Sequence, residues 1–435
     1  MDSIARTETV TVKPLCTIRK IFTFIGAGVA SVTAITLATS AIADVGSERK
    51  AWNWTSHDGA YDSHHRSLER SWDTPLPVGL PTLSKSNIEP LLAAIERYQE
   101  IVAQGGWQPI PMLKPGTRHQ AVVLLRRRLE LTRDLQPGRG HSARFDTGLA
   151  QGLKRFQLRH GLQPNGTLDK STVLALNVPA KMRLQQLQTN LARLRKLSNS
   201  ASKKYVVVNI PAAQVEAVEN DEVVSRHAAV IGKLDRQTPI LRSRIHQINF
   251  NPYWNIPRSI ARKDLIPKAR LYAVRGKDVL SEYRIDAFKR GKRLDPSLID
   301  WYSPAVYNYR YRQEPWKENS MGFVKINFRN SHSVFLHDTP SKSLFARNFR
   351  AHSSGCVRVQ NVKQLVAWLL NSNSGWDISR VAQVEQTGIR KDVRLKRRVP
   401  VYIVYVTAWT TKDGTVNFRR DIYGHDRAGA TASAY

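Results

Sequence analysis

Two hydrophobic periods alternate along this chain. From Ser86-Asn87, Leu91, Ile95, Tyr98 and Val102 recur at helical spacing, and Gly105-Gly106 ends the predicted helix. Val122, Leu125 and Leu129 predict a second helix. Leu149, Leu153 and Phe156 predict a third, capped by Asp146 and ended by Gly161. Asp169 opens a short helix holding Val173 and Leu176. Leu184, Leu187, Leu191 and Leu194 then form one stripe, as expected of a helix packed on a neighbouring domain.

From Tyr205 the period falls to two. "KYVVVNIPAAQVEAVEND" predicts strand, turn and strand, with Asn220-Asp221 at a turn, and "SRHAAVIG" predicts another strand ended by Gly232. "RIHQINFNPYWNIP", "GFVKINFRN", "SVFLHD" and "VPVYIVYVTAW" continue the series, and "DGTVNFRRDIYG" gives a final hairpin arm. "NVKQLVAWLLN" interrupts it with a helix whose inward face is Val362, Leu365, Trp368 and Leu369. Between Ser259 and about Gly322 the chain is basic, Tyr-rich and predicted as mostly helix or loop, an insertion that could cover a site. The fold class is α+β and multidomain. Residues 44–115 form a tether and helical scaffold, 116–178 a three-helix unit, 179–204 a connecting helix, and 205–426 a β-rich domain with residues 260–322 inserted. Residues 427–435 are a tail.

The N-terminus changes where this fold is expected to work. Arg19-Lys20 precede an uncharged run over residues 21–43 that ends Ala41-Ile42-Ala43. Residues 1–43 are therefore an export signal or an uncleaved membrane anchor, since the run is long enough to span a bilayer. Everything after Asp44 is expected outside the cytoplasm. The charge agrees: 67 Lys+Arg against 35 Asp+Glu give a net +32, suited to an anionic envelope polymer or membrane. Export, with no RNP, zinc-finger or basic-zipper pattern, excludes nucleic acid as the expected partner. His57, His64 and His65 have no ligand spacing and read as solvated loop residues. No metal or cofactor is expected.

The chain has two cysteines, Cys16 in the export segment and Cys356. The exported part thus has one thiol, and no disulfide can form within it. Cys356 is either an inert buried thiol or a nucleophile, and its surroundings favour the second reading. His337 ends an apolar strand nineteen positions earlier and is a candidate base, with His352 as the alternative. Ser353, Ser354 and Gly355 are small, and the turn they make could present backbone N–H groups, Gly355's among them, to an oxyanion. Arg358 adds positive charge on the side opposite Val357 and Val359.

The motif His337-Asp-Thr-Pro, followed after an interval by Ser353-Ser354-Gly355-Cys356-Val-Arg358-Val-Gln-Asn361, resembles the active-site signature of L,D-transpeptidases of the YkuD type. Ser354 stands where many members carry a second His, and with "VIGKLDRQTP", "INFNPYWNIPRSIARKDLIPK", "YRQEP" and "DIYGHD" it resembles the longer, periplasmic YcbB-like subgroup. Trp316-Lys317 depart from that subgroup, which often has glycine there. "FQLRHGLQPNGTLDKST" resembles a three-helix peptidoglycan-binding domain. The resemblance implies a peptidoglycan substrate, stem peptides and glycan alike. Cys356 would be the nucleophile and His337 the general acid and base, in the turn formed with Ser354 and Gly355. Ser353, Arg358 and Asn361 would serve substrate or loop, and Tyr311 and Arg312 a capping lid. It also implies sensitivity to carbapenems. Two alternatives remain: an L,D-carboxypeptidase that lets water take the acyl group, and a non-catalytic peptidoglycan-binding scaffold.

Overall fold

The computed structural model describes residues 81–138, 141–198, 202–411 and 413–426. The expected export segment or anchor, most of the tether with its histidines, and the tail after residue 426 lie outside them. Among the described residues no helix is long and apolar enough to cross a membrane.

Five helices come first: α1 (Ile88–Ala103), α2 (Gln120–Leu131), α3 (Thr147–Arg159), α4 (Lys170–Leu176) and α5 (Ala180–Ser198). In α1 the inward face is Leu91, Ala94, Ile95, Tyr98 and Ile101. Ile101 is buried where Val102 was expected; Val102 is half-buried. α2, α3 and α4 enclose their own core of Val122, Leu125, Leu129, Leu149, Leu153, Phe156 and Leu176. Their starts are fixed as the sequence predicts: Asp146 accepts the Leu149 N–H at 2.8 Å and Asp169 the Thr172 N–H at 2.7 Å. Each such cap is worth about 1 kcal/mol.

The strands follow: β1 (Lys204–Asn209), β2 (Gln214–Glu219), β3 (Glu222–Gly232) and β4 (Leu241–Phe250). The hairpin between β2 and β3 turns on Asn220 and Asp221, both left-handed at φ 53° and 66°, the conformation a tight primed turn demands. The inserted segment then brings β5 (Trp254–Ile256), α6 (Arg258–Ile260), a π-helical turn (Ala261–Leu265), α7 (Ile266–Ala273), α8 (Val279–Glu282), β6 (Ile285–Lys289), β7 (Lys292–Arg293) and β8 (Arg310–Gln313). As expected, the segment from Ser259 to Gly322 is mostly helix and loop, but it also holds three short strands. β5, β8, β6 and β7 form a four-stranded sheet over a separate core of Trp254, Leu265, Tyr283, Trp301 and Tyr311. Strands of two to five residues are too short to show a period.

The chain returns through β9 (Val324–Phe328), β10 (Leu336–His337), β11 (Ala351–Ser353), β12 (Val357–Val359), α9 (Val362–Leu370), α10 (Ile378–Thr387), β13 (Lys391–Val404), β14 (Ala408–Thr410) and β15 (Val416–Phe418). The main sheet has nine strands in the order β11-β3-β12-β10-β9-β4-β13-β1-β2, and β2 pairs back onto β3. It is thus closed on itself, which removes most free edges. Its interior is apolar: Val206, Val208, Ile245, Ile248, Ile326, Leu336, Val357, Val359, and Leu365 and Leu369 from α9. Alternation sends Tyr205 and Val207 the other way, against Leu91, Ile95, Leu187 and Leu194 of α1 and α5. This explains the unbroken apolar run of β1: both of its faces are covered.

Candidate active site

β10 and β12 run side by side in parallel, with Leu336 opposite Val357 and His337 opposite Arg358. Leu336, Val357 and Val359 belong to the interior, so Phe335, His337, Cys356 and Arg358 share the outer face. Cys356 and His337 are diagonal neighbours there, on the order of 7–8 Å apart at Cα. Lys325 joins them from β9, opposite His337, its ammonium 4.2 Å from the Phe335 ring centre. Phe335 in turn packs against both the barrel core and the core of the inserted subdomain, which sets that subdomain beside the thiol.

Burial pushes the Cys356 thiol up to about 11, against the Phe335 N–H and the Lys325 and Arg358 cations, which favour thiolate. Burial, and then Arg358, push the His337 imidazole down to about 3. At neutral pH the resting pair is therefore thiol and neutral imidazole. His337 Nδ1 lies 2.5 Å from the Asp338 carbonyl oxygen. That contact requires the proton on Nδ1 and leaves Nε2 with a lone pair, the tautomer of a general base. His352, the alternative base, bonds the Phe349 carbonyl through Nε2 at 3.1 Å and stacks edge-on against that ring, within its own loop.

The turn carrying Cys356 is held on three sides. Gly355 takes φ 110°, a conformation that only glycine adopts without strain. Its N–H, expected to face an oxyanion, donates instead to Ser353 Oγ at 3.2 Å, and Ser353 Oγ donates to the Cys356 carbonyl at 2.5 Å. Ser353 is therefore a brace of the turn. From the β3–β4 loop, Thr238 Oγ1 donates to the Gly355 carbonyl at 2.9 Å and accepts the Gly232 N–H at 2.9 Å. Tyr423 donates to the Gly232 carbonyl at 2.6 Å and accepts the Thr238 N–H at 3.2 Å. Ser354 Oγ accepts from Arg236 Nη1 at 3.0 Å, and the same guanidinium pairs with Asp264 in the π-helical turn, Nη2 to Oδ1 at 3.1 Å. Arg236 thus ties the inserted subdomain to the cysteine turn.

Arg358 is the electrostatic anomaly. It is buried, and its Nε and Nη1 have no hydrogen-bond partner among the described residues. A buried cation with idle donors is costly unless something anionic completes it. Of the other expected substrate residues, Asn361 adopts φ 46° and turns the chain from β12 into α9. Arg312 sits on the inserted sheet, paired with Asp286 at 3.0 Å and over the Tyr253 ring. Tyr311 is corrected: it is buried in the inserted core and donates to the Val306 carbonyl at 2.9 Å, because alternation along β8 turns it inward. Sequence reasoning missed Lys325, Phe335, Arg236 and Tyr423. Lys325 had a signal, since it alternates with Val324 and Ile326. Among the described residues no cluster of His, Cys, Asp or Glu could hold a metal ion.

Residues 203–403 match the family model of the YkuD L,D-transpeptidase catalytic domain, and residues 118–176 that of a "Putative peptidoglycan binding domain". A Haemophilus influenzae protein described as "Putative L,D-transpeptidase" is 33% identical over 245 residues, covering 56% of this chain and 48% of that protein. The chain thus spans about half the length of the curated relative it matches. Among solved structures, an L,D-transpeptidase from Stackebrandtia nassauensis is 12% identical, covering 68% of this chain and 97% of its own at a TM-score of 0.26. One from Mycobacterium smegmatis is also 12% identical, covering 47% and 59% at 0.22. At scores this low the two structures bear on no residue of the site.

Proposed function

We propose that this chain, which matches the YkuD L,D-transpeptidase catalytic-domain model over residues 203–403, is an L,D-transpeptidase in which Cys356 is an acyl-transfer nucleophile acting on peptidoglycan stem peptides. The observation that carries this is the pairing of β10 with β12, which sets Cys356, His337 and Arg358 on one face.

The neutral resting pair dictates the order of events. His337 Nε2 takes the thiol proton as the sulfur attacks the carbonyl joining diaminopimelate to D-Ala, so thiolate need not accumulate. A C–S bond forms and the tetrahedral oxyanion develops near the idle donors of Arg358. Collapse breaks the C–N bond, and His337 returns its proton to the departing D-Ala amine. A second amine then attacks the thioester, His337 accepts its proton, and the thiol is regenerated as the new amide forms. The inserted subdomain, pinned by Arg236, limits water at this second step. That favours transfer over the hydrolysis that would make the protein an L,D-carboxypeptidase. A carbapenem would acylate Cys356 by the same first step. Residues 1–43 would deliver the enzyme to the periplasm, in the YcbB-like manner.

The test is incubation of the protein with disaccharide-tetrapeptide and mass spectrometry of the products. A cross-linked dimer, absent with Cys356→Ala, is the expected result. Tripeptide alone would establish the carboxypeptidase. No turnover, with retained binding to sacculi, would establish a scaffold.

A further inference from the structure

The outer face that carries Cys356 continues across β9, β4 and β13. Ile245, Phe328 and Val399 belong to the barrel core, so their neighbours Arg244, His246, Arg329 and Arg398 turn outward. With Arg242 and Ser243 they line a concavity of about 460 Å³, within the range of small-ligand sites. Four guanidiniums and an imidazole thus share one wall, and no carboxylate lies on it. Arg242 stands over the Tyr402 ring, 5.3 Å from its centre. Arg244, Arg329 and Arg398 are exposed, and among the described residues their side chains form no ion pair and no hydrogen bond.

Two irregularities in the sheet build this wall. β4 slips its register against β9 between Ile245 and Gln247, which leaves His246 as an extra residue. β13 slips against β4 between Arg394 and Val399, and the extra residues there include Arg398. A bulge bends its strand and re-aims a side chain. Here two bulges meet and bring His246 and Arg398 onto the same wall. Both are supported from outside the strands. Asn373 donates to the Arg394 carbonyl at 2.9 Å and accepts the Lys396 N–H at 3.0 Å. Ser243 Oγ donates to the Arg329 carbonyl at 2.6 Å, which ties β4 to the end of β9. The backbone therefore holds these cations together against their mutual repulsion.

A concave wall of one sign focuses its field on whatever enters, so the arrangement favours an anion that returns the missing counter-charge. The residue type narrows the choice. A guanidinium fork sets two parallel N–H donors against two oxygens of one anionic group. A single carboxylate satisfies one such fork and leaves the others idle. A phosphate group presents oxygens in several directions, and two of them can engage all four arginines.

We propose that this arginine-lined concavity is a binding site for a compact ligand bearing two phosphate groups, separate from the site at Cys356. It stands whether or not Cys356 transfers acyl groups. The full chain is titrated calorimetrically with inorganic pyrophosphate at physiological ionic strength, where diffuse surface charge is screened. Saturable binding is expected, weakened at least about tenfold by Arg244→Gln/Arg398→Gln. Arg127→Gln/Arg275→Gln removes the same charge from exposed positions elsewhere and should change it less than about twofold. Arg358→Gln, which removes the other guanidinium with idle donors, should leave it unchanged. Citrate, whose charge sits on carboxylates, should bind at least about tenfold more weakly. The melting temperature of Arg244→Gln/Arg398→Gln should hold or rise, since like charges are removed. If it falls, Arg398→Gln alone carries the comparison, with an expected loss of about threefold. Flotation with vesicles of equal parts cardiolipin and phosphatidylcholine identifies the source. Vesicle binding that the variant abolishes assigns a diphosphate lipid headgroup, and pyrophosphate binding without it assigns a soluble ligand; both uphold the site. Absent saturable binding, equal weakening in the two double variants, loss in Arg358→Gln, or citrate bound as tightly as pyrophosphate would overturn the proposal.

Discussion

Alkylation of Cys356 by iodoacetamide should accelerate about tenfold per pH unit from pH 6 to near pH 10, without a plateau. The thiol is pushed up to about 11 by burial, so the thiol rather than the thiolate is the main form at pH 7. His337, pushed down to about 3, stays neutral across this range and adds no acid limb between pH 4 and 8. The sign is fixed by charge: a raised thiol titrates above its ordinary value, so reactivity appears only as pH climbs. Arg358 supplies part of the field that opposes burial. Arg358→Gln should push the thiol further up and slow alkylation at pH 8 by about three- to tenfold. Intact-mass spectrometry of quenched samples measures both rates. A plateau with its midpoint below about pH 8 would show a resting thiolate–imidazolium pair and refute the proton order given above. Faster alkylation in the Arg358 variant would refute its assigned field.

Three further outcomes follow from the packing. Gly322 has φ 57° and a Cβ there would overlap the Asp338 side chain, so Gly322→Ala should cost about 2–4 kcal/mol in urea unfolding; an unchanged midpoint would contradict the geometry. Arg159 and Asp134 form a buried pair, Nε to Oδ1 at 2.6 Å, and Arg159 also donates to the Val416 carbonyl of β15 at 3.0 Å. Asp134→Ala should therefore destabilise by about 3–5 kcal/mol, and Arg159→Met in the same chain should recover much of the loss. Arg236→Lys retains a charge for Asp264 but loses the fork that also reaches Ser354. Turnover should fall about tenfold with KM and melting temperature little changed, and a matching fall in melting temperature would reduce Arg236 to a structural role.

Legibility in the sequence tracked the reach of the interactions. The helices of the bundle were readable because their caps and stripes are local, as Asp146 and Asp169 show. β1 was readable as a strand but not as one covered on both faces, because α1 and α5 lie far from it or beyond a break in period. Cys356 and His337 were found from a motif, while their support came from residues distant in the chain. Arg236 is an ordinary loop arginine until the fold brings Asp264 and Ser354 to it. Tyr311 misled because a Tyr-Arg-Tyr-Arg run looks like a binding surface, whereas β8 alternates and turns this tyrosine into the core. The short strands of the insertion had no period to detect; α10 had one, with Val381 and Val384 three apart behind the Asp377 cap, and was passed over between α9 and β13.

The Tyr423 brace sets an order of events for the nascent chain. Cys356 is made well before Tyr423, yet the Gly232–Thr238–Gly355 scaffold beneath its turn is complete only when the segment after β15 has docked. Domains form from the N-terminus as the chain is made, so a partly delivered chain carries the thiol without its support. A chain interrupted short of residue 423 would therefore carry Cys356 on a turn that lacks this brace.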